Sequence, residues 1–211
     1  VYLRKVHFMA LSTFVKISNI SSLSDARYCA GMFVDQLGFN LNPTDNEGIS
    51  FETFLEIKDW VAGVQIVGEF GDITKEEFLS IPAQLPIDMI EISQLELLDQ
   101  AKAFGKPISF KIELYHHLHL NDLSDLFIDL EGNVDQVVIH SESTQLFDEI
   151  KNEVNQYEGN LKMIKAFNIS LKTLNQLDGF YGIQLKATEE DQPGLKDYGE
   201  VMDILEALEV D

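Results

Sequence analysis

Strand-like and helix-like stretches alternate eight times along the 211 residues, and neither a long linker nor a repeat separates them. Alternation of this kind predicts a parallel sheet, and eight units within one domain predict a closed (β/α)8 TIM barrel of the α/β class. The alternative is a doubly wound open sheet, which usually has fewer strands and a phosphate fingerprint; no G-x-G-x-x-G or P-loop occurs here. The length suits one large core better than two. Residues 1–13 read as an N-terminal extension and residues 14–211 as the barrel.

The first unit is the stretch Phe14 to Arg27. Alternating residues give a strand, a polar turn follows, and Ser22 or Ser24 caps a helix with Asp25 in its first turn, where a negative charge suits the helix dipole. Gly31 reads as the C-cap, and Val34 to Phe39 as the second strand. Cys29 falls at an apolar helix position and reads as core; as the single cysteine, it excludes an internal disulfide and a Cys-rich zinc site. A polar loop, 40–50, leads to an apolar helical stripe at Phe51, Phe54, Leu55 and Ile57, with Trp60 also expected to pack helix against barrel.

Further strands are expected within 61–70, at 87–92, from Pro107 to about Leu114, at 134–140, at 161–166 and at 180–185. Between them lie helices over 74–81, 94–104, 122–130 and 142–157, a short one over 170–177, and a closing helix over 195–208. Gly105 and Gly159 act as helix stops.

Fifteen Lys plus Arg against 36 Asp plus Glu give a formal charge of −21. A field of that sign repels nucleic acid and anionic lipid, so neither is expected as a partner. No apolar run reaches membrane-spanning length and no clear signal peptide opens the chain, which reads as cytoplasmic.

In a barrel of this kind the chemistry sits at the C-terminal ends of the strands. Those ends present Ser18, Glu91, Lys111 with Glu113, His140, Ala166 to Asn168, and Lys186 onward. Glu91, Glu113 and His140 end neighbouring strands, and a carboxylate beside an imidazole is an acid–base pair. His116, His117 and His119 cluster after the fifth strand, but their spacing fits no established ligand motif; no metal or cofactor is expected.

The stretches Val15 to Arg27, Asp35 to Phe39, Val67 to Phe70 and Pro193 to Asp197 together resemble motifs of the phosphoribosylanthranilate isomerase family of tryptophan biosynthesis. Val15-Lys-Ile-Ser-Asn-Ile-Ser-Ser-Leu-Ser-Asp-Ala-Arg27 is similar to the family's opening V-K-I-C-G-I-T followed by L-x-D-A. Asp35 to Phe39 with Pro43 and Ile49-Ser50 matches its second strand and loop, Val67-Gly-Glu-Phe70 its V-G-V-F, and Pro193-Gly-Leu-Lys-Asp197 its P-G-V-K-D. The matches span residues 15 to 197.

The resemblance implies an Amadori rearrangement, with a general base and a general acid flanking the sugar and firm holds on a phosphate and a carboxylate. At the implied positions the residues differ. Ser18 stands for the cysteine base and His140 for the aspartate acid. Glu47 replaces the arginine that holds the carboxylate. Ala166-Phe167 replaces the Gly-Gly after the seventh strand, and Lys186-Ala187-Thr188 the Ser-Ser-Gly after the eighth. Side chains there obstruct the close backbone approach that glycine allows.

The expectation is therefore a barrel that has lost or altered the parent reaction and binds another small molecule, phosphorylated or not, or none, as a monomer or homodimer. Two alternatives stand beside it. One is an active sugar-phosphate isomerase using His140 with Glu91 or Glu113 as acid and base. The other is a non-catalytic interaction protein.

Overall fold

The computed structural model describes residues 10–116, 120, 122–187 and 199–210. Eight parallel strands close on themselves: β1 (Phe14–Ser18), β2 (Gln36–Asn40), β3 (Gln65–Glu69), β4 (Met89–Ile92), β5 (Ile108–Glu113), β6 (Gln136–His140), β7 (Lys162–Ala166) and β8 (Gly182–Lys186). The seam joins the first strand to the last, with Phe14 opposite Gly182 and Ser18 opposite Lys186. The expected (β/α)8 barrel is the fold found. Outside it, Ala10–Leu11 pairs antiparallel with Glu209–Val210, so the described part of the 1–13 stretch lies against the end of the last helix.

Helices follow six strands in turn: α1 (Leu23–Gly31), α2 (Phe51–Lys58), α3 (Lys75–Leu79), α4 (Leu98–Ala103), α5 (Leu123–Leu130) and α6 (Phe147–Gln156), while α7 (Gly199–Leu208) follows β8. Ser22, not Ser24, caps α1 by accepting from the Asp25 amide at 3.2 Å. At the other end of α1, Gly31 stays helical and Phe33 makes the left-handed reversal at φ 59°. Thr74 and Glu77 form a reciprocal capping box at the start of α3. No described helix is long and apolar enough to cross a membrane.

Two expectations fail. Residues 170–177 form successive turns instead of a helix. The Thr173 hydroxyl donates to the Asn168 carbonyl at 2.7 Å, and the Lys165 ammonium takes the Gln176 carbonyl at 3.0 Å. Local side-chain bonds of this kind compete with a helical ladder. Trp60, expected in the packing layer, is 70% exposed because α2 ends before it, and Leu55 of the expected stripe is exposed as well; Phe54 is fully buried and edge-on to Phe39, and Ile57 is buried with it.

Apolar residues such as Val15, Ile17, Leu37, Ile90 and Val137 face the helices and form the core, and Cys29 is buried among them. A carboxylate clasp recurs at the N-terminal end of alternate strands. Asp35, Asp88 and Asp135, each just ahead of β2, β4 and β6, accept from the amides of Val15, Ile66 and Ile108 on or beside the preceding strand, all at 2.8 Å.

The barrel interior is largely polar. Gln36 and Gln136 exchange amide bonds at 3.1 and 3.0 Å, Gln36 also donates to Gln65 at 2.7 Å, and Gln136 donates to the Ser109 hydroxyl at 3.2 Å. Ser109 passes the chain on by donating to Glu91 at 2.7 Å. A continuous hydrogen-bonded column thus shares with Val67, Val138 and Ile164 a space that bulky branched side chains usually occupy.

Candidate functional site

The column ends in an ion cluster under the barrel mouth. Lys16 on β1 is fully buried, with Nζ 2.8 Å from Glu69 on β3 and 2.6 Å from Glu91 on β4. Strand parity puts all three inside, and Gly38 on β2 makes the room: a Cβ there would lie 2.1 Å from Glu69 Oε1. Burial alone would discharge these groups, but their mutual attraction wins. Burial pulls the Lys16 ammonium down, yet Glu69 and Glu91 hold it above its ordinary range. Burial likewise pushes Glu91 up, and Lys16 with Ser109 holds it below the usual carboxylate range.

Above the cluster opens a cavity of about 370 Å³. Its β5–β6 wall holds Glu113 directly opposite His140 in the strand register. Glu113 is 2.5 Å from the Lys111 ammonium and accepts a short bond from the Tyr115 hydroxyl. Burial raises the Glu113 carboxyl, and those two donors more than reverse it. The bond to Glu113 and then burial push the Tyr115 hydroxyl up to about 12. His140 is held below the ordinary imidazole value by burial and by Lys111, against the opposing pull of Glu113. Its Nδ1 is buried with no hydrogen-bond partner. The expected Glu91, Glu113 and His140 therefore all reach one cavity, Glu91 in its floor and the other two on its wall.

The opposite rim is a strap. Glu47, in the loop after β2, accepts from Lys186 at the end of β8 at 2.7 Å and from the Asn19 amide side chain at 3.0 Å. Asp45 orders this loop by accepting from the Glu47 amide at 2.9 Å and from Asn40 at 2.8 Å. Asn19 stands where the resembled signature has glycine, and it adopts the left-handed backbone, φ 59°, that asparagine tolerates. Its amide donates to Glu69 at 3.1 Å, tying the rim to the floor. Ser18 lines the cavity, but its hydroxyl donates to the Leu185 carbonyl at 3.3 Å.

Among the described residues, the β7–β8 corner presents side chains where the resemblance implies glycines. Phe167 is buried against Phe147 and Phe180, so it lies in the helix layer and does not plug the mouth. Ala166 ends β7, and the Ala187 amide is taken by the Ser18 carbonyl at 2.9 Å. A groove beside them is lined by Glu200 in the first turn of α7, an acid where an anion would sit. Thr188 lies outside the described residues, as do His117, His119 and the Pro193 to Asp197 stretch; His116 is exposed.

Lys16, Glu69 and Gln184 complete the site without having been singled out from sequence. The signal was available in Lys16, a lysine between the strand residues Val15 and Ile17 and two positions from Ser18 on the same face. Gln184 stands opposite Lys16 in the register, lines the cavity, is 8% exposed, and leaves Oε1 without a partner.

No protein-family model matches the chain, and no curated protein sequence matches it. Solved structures do. Phosphoribosyl anthranilate isomerase from Thermus thermophilus superposes with a TM-score of 0.71 at 20% identity, over 92% of this chain and 98% of that one. The enzyme of that name from Thermotoga maritima gives 0.71 at 16%, over 93% and 98%. A 3-hexulose-6-phosphate synthase gives 0.65 at 10%, over 92% and 99%. At such identities the likeness establishes the shared barrel.

Proposed function

We propose that the chain is a divergent member of the phosphoribosylanthranilate isomerase family that no longer performs that family's rearrangement and holds a different small polar molecule at its mouth. Both the opening sequence signature and the whole-barrel likeness to isomerases of that name support the family reading. The observation that carries the loss of reaction is the Glu47–Lys186 pair. Where the resemblance calls for an arginine facing a carboxylate there is an acid, and that acid engages the lysine at the β8 end, the corner where a phosphate hold is expected. Ser18 bonds a backbone carbonyl, and a hydroxyl has a pKa far above a thiol's, which makes it a poor proton acceptor from a sugar carbon.

The test is a coupled assay with freshly generated phosphoribosylanthranilate, followed by loss of its fluorescence. Folded protein is expected to give no turnover. Turnover that His140→Ala abolishes would favour the second reading, an active sugar-phosphate isomerase. What speaks for that reading is that His140 stands opposite Glu113 in the register with its Nδ1 partnerless, an imidazole beside a carboxylate at the cavity wall.

A further inference from the structure

The charge around the mouth selects a class of ligand. Among the described residues Asp45, Glu47, Glu69, Glu91, Glu113 and Glu142 line the cavity. Lys16 offsets one of these six carboxylates from below, Lys111 and Lys186 offset two more at the wall and rim, and three negative charges remain. Asp45 and Glu142 have no cationic partner among the described residues.

A ring of acids alone would be a solvated surface. Here a second feature belongs to the same cavity, the lining residue Gln184. Gln184 is more than nine-tenths buried, and its Oε1 has no donor. A buried acceptor left unpaired costs free energy that a donor on a ligand recovers. His140 Nδ1 is a further partnerless atom on that wall. The unpaired Gln184 oxygen and the excess carboxylates are acceptors and negative charges, and they call for a donor that carries positive charge.

The geometry disfavours a metal ion as that donor. Among the described residues no three His, Cys, Asp or Glu side chains converge closely enough to hold one. The acids stand apart around a volume of about 370 Å³, which suits an extended organic molecule with ammonium groups at its ends.

We infer that the barrel mouth is a binding site for a small organic amine, with Gln184, Glu142 and Asp45 receiving its ammonium groups. This rests on the reading that the mouth holds a ligand other than the family's anionic sugar phosphate.

Calorimetric titration tests it, with 1,4-diaminobutane as the probe, 1,4-butanediol as its neutral isostere and ribose 5-phosphate as the anion. The diamine is expected to bind saturably at one site, with neither control competing. Gln184→Leu leaves the net charge unchanged and is expected to weaken binding about tenfold through loss of one hydrogen bond to a charged group. Glu142→Gln, on an exposed side chain that folding does not depend on, is expected to weaken it comparably.

Asp59→Asn at the C-terminal end of α2, on the opposite face of the barrel from the mouth, is expected to change nothing; diamine binding that responds equally to all three variants would reduce the effect to counterion attraction and overturn the site. Tighter binding of ribose 5-phosphate than of the diamine would overturn it as well. The outcome is separable from the isomerase assay. Absence of diamine binding without turnover removes only the amine, whereas turnover removes the loss of the parent reaction.

Discussion

Lys16 holds two carboxylates in the floor of the mouth, and that makes it the residue on which the mouth depends. A Lys16→Met variant keeps the volume but leaves Glu69 and Glu91 facing each other unpaired. Breaking a buried ion pair from one side costs about 3–5 kcal/mol, so urea denaturation should show a loss of that size. A loss under about 1 kcal/mol would mean that the carboxylates simply protonate at little cost.

The same titration run across pH has a defined sign. Glu91 titrates lower in the folded protein than in the unfolded chain, so its contribution is present above the unfolded carboxylate value and lost as pH falls through the folded one. Lys16 titrates higher, so its contribution is present below 10.5 and lost as pH rises through the folded value. The variant should therefore show a shallower alkaline decline than the parent.

At this scale the sequence was only partly legible. Glu91, Glu113 and His140 were readable because each ends a strand, where the barrel puts its chemistry. Lys16 and Gln184 sit deeper, and whether a polar residue within a strand faces the interior or the helices depends on register, which one residue of slippage reverses.

Among the elements, the strands were the clearest, since runs such as Val134 to His140 admit little else. Ends and reversals were harder. Phe33 takes the left-handed turn one would assign to Gly31, and two residues on, Asp35 accepts from the Val15 amide. The turns over 170–177 look helical in sequence because their apolar spacing is helical, while the Thr173 hydroxyl accepts from the Ser170 amide and donates to the Asn168 carbonyl.

The aspartate clasps make a prediction at this level. Asp88→Ala deprives the Ile66 amide of its acceptor at the base of the barrel, and a hydrogen bond to a charged group is worth about 1.5–3 kcal/mol. Thermal unfolding should show that loss, and because Asp88 is far from the mouth along its strand, the diamine titration should not move. A coupled change in both would mean that the strands shift as a unit.

The whole molecule carries a formal −21, and much of that repulsion is spread over its surface. Self-repulsion destabilises the compact state, and salt screens it. Raising ionic strength from about 0.02 M to about 0.15 M shortens the screening length to about 8 Å, and the melting temperature should rise by a few degrees. A fall would show that the ion pairs at the mouth outweigh the surface. Net charge was legible from composition alone, but its placement was not: acids far apart in sequence, from Asp45 to Glu142, meet only because the barrel closes.

That closure also governs time. The seam pairs the first strand with the last, and the Ser18 hydroxyl reaches a carbonyl 167 positions away. Until the last strand is made, the other seven can pair only as an open, two-edged sheet, with Lys16 on one of the two edge strands. Long-range pairing of this kind is slow and leaves bare edges exposed while it waits. The polar column inside the barrel lessens the hazard, because an interior rich in glutamine, lysine and glutamate is a poor surface for another unfinished chain to adhere to.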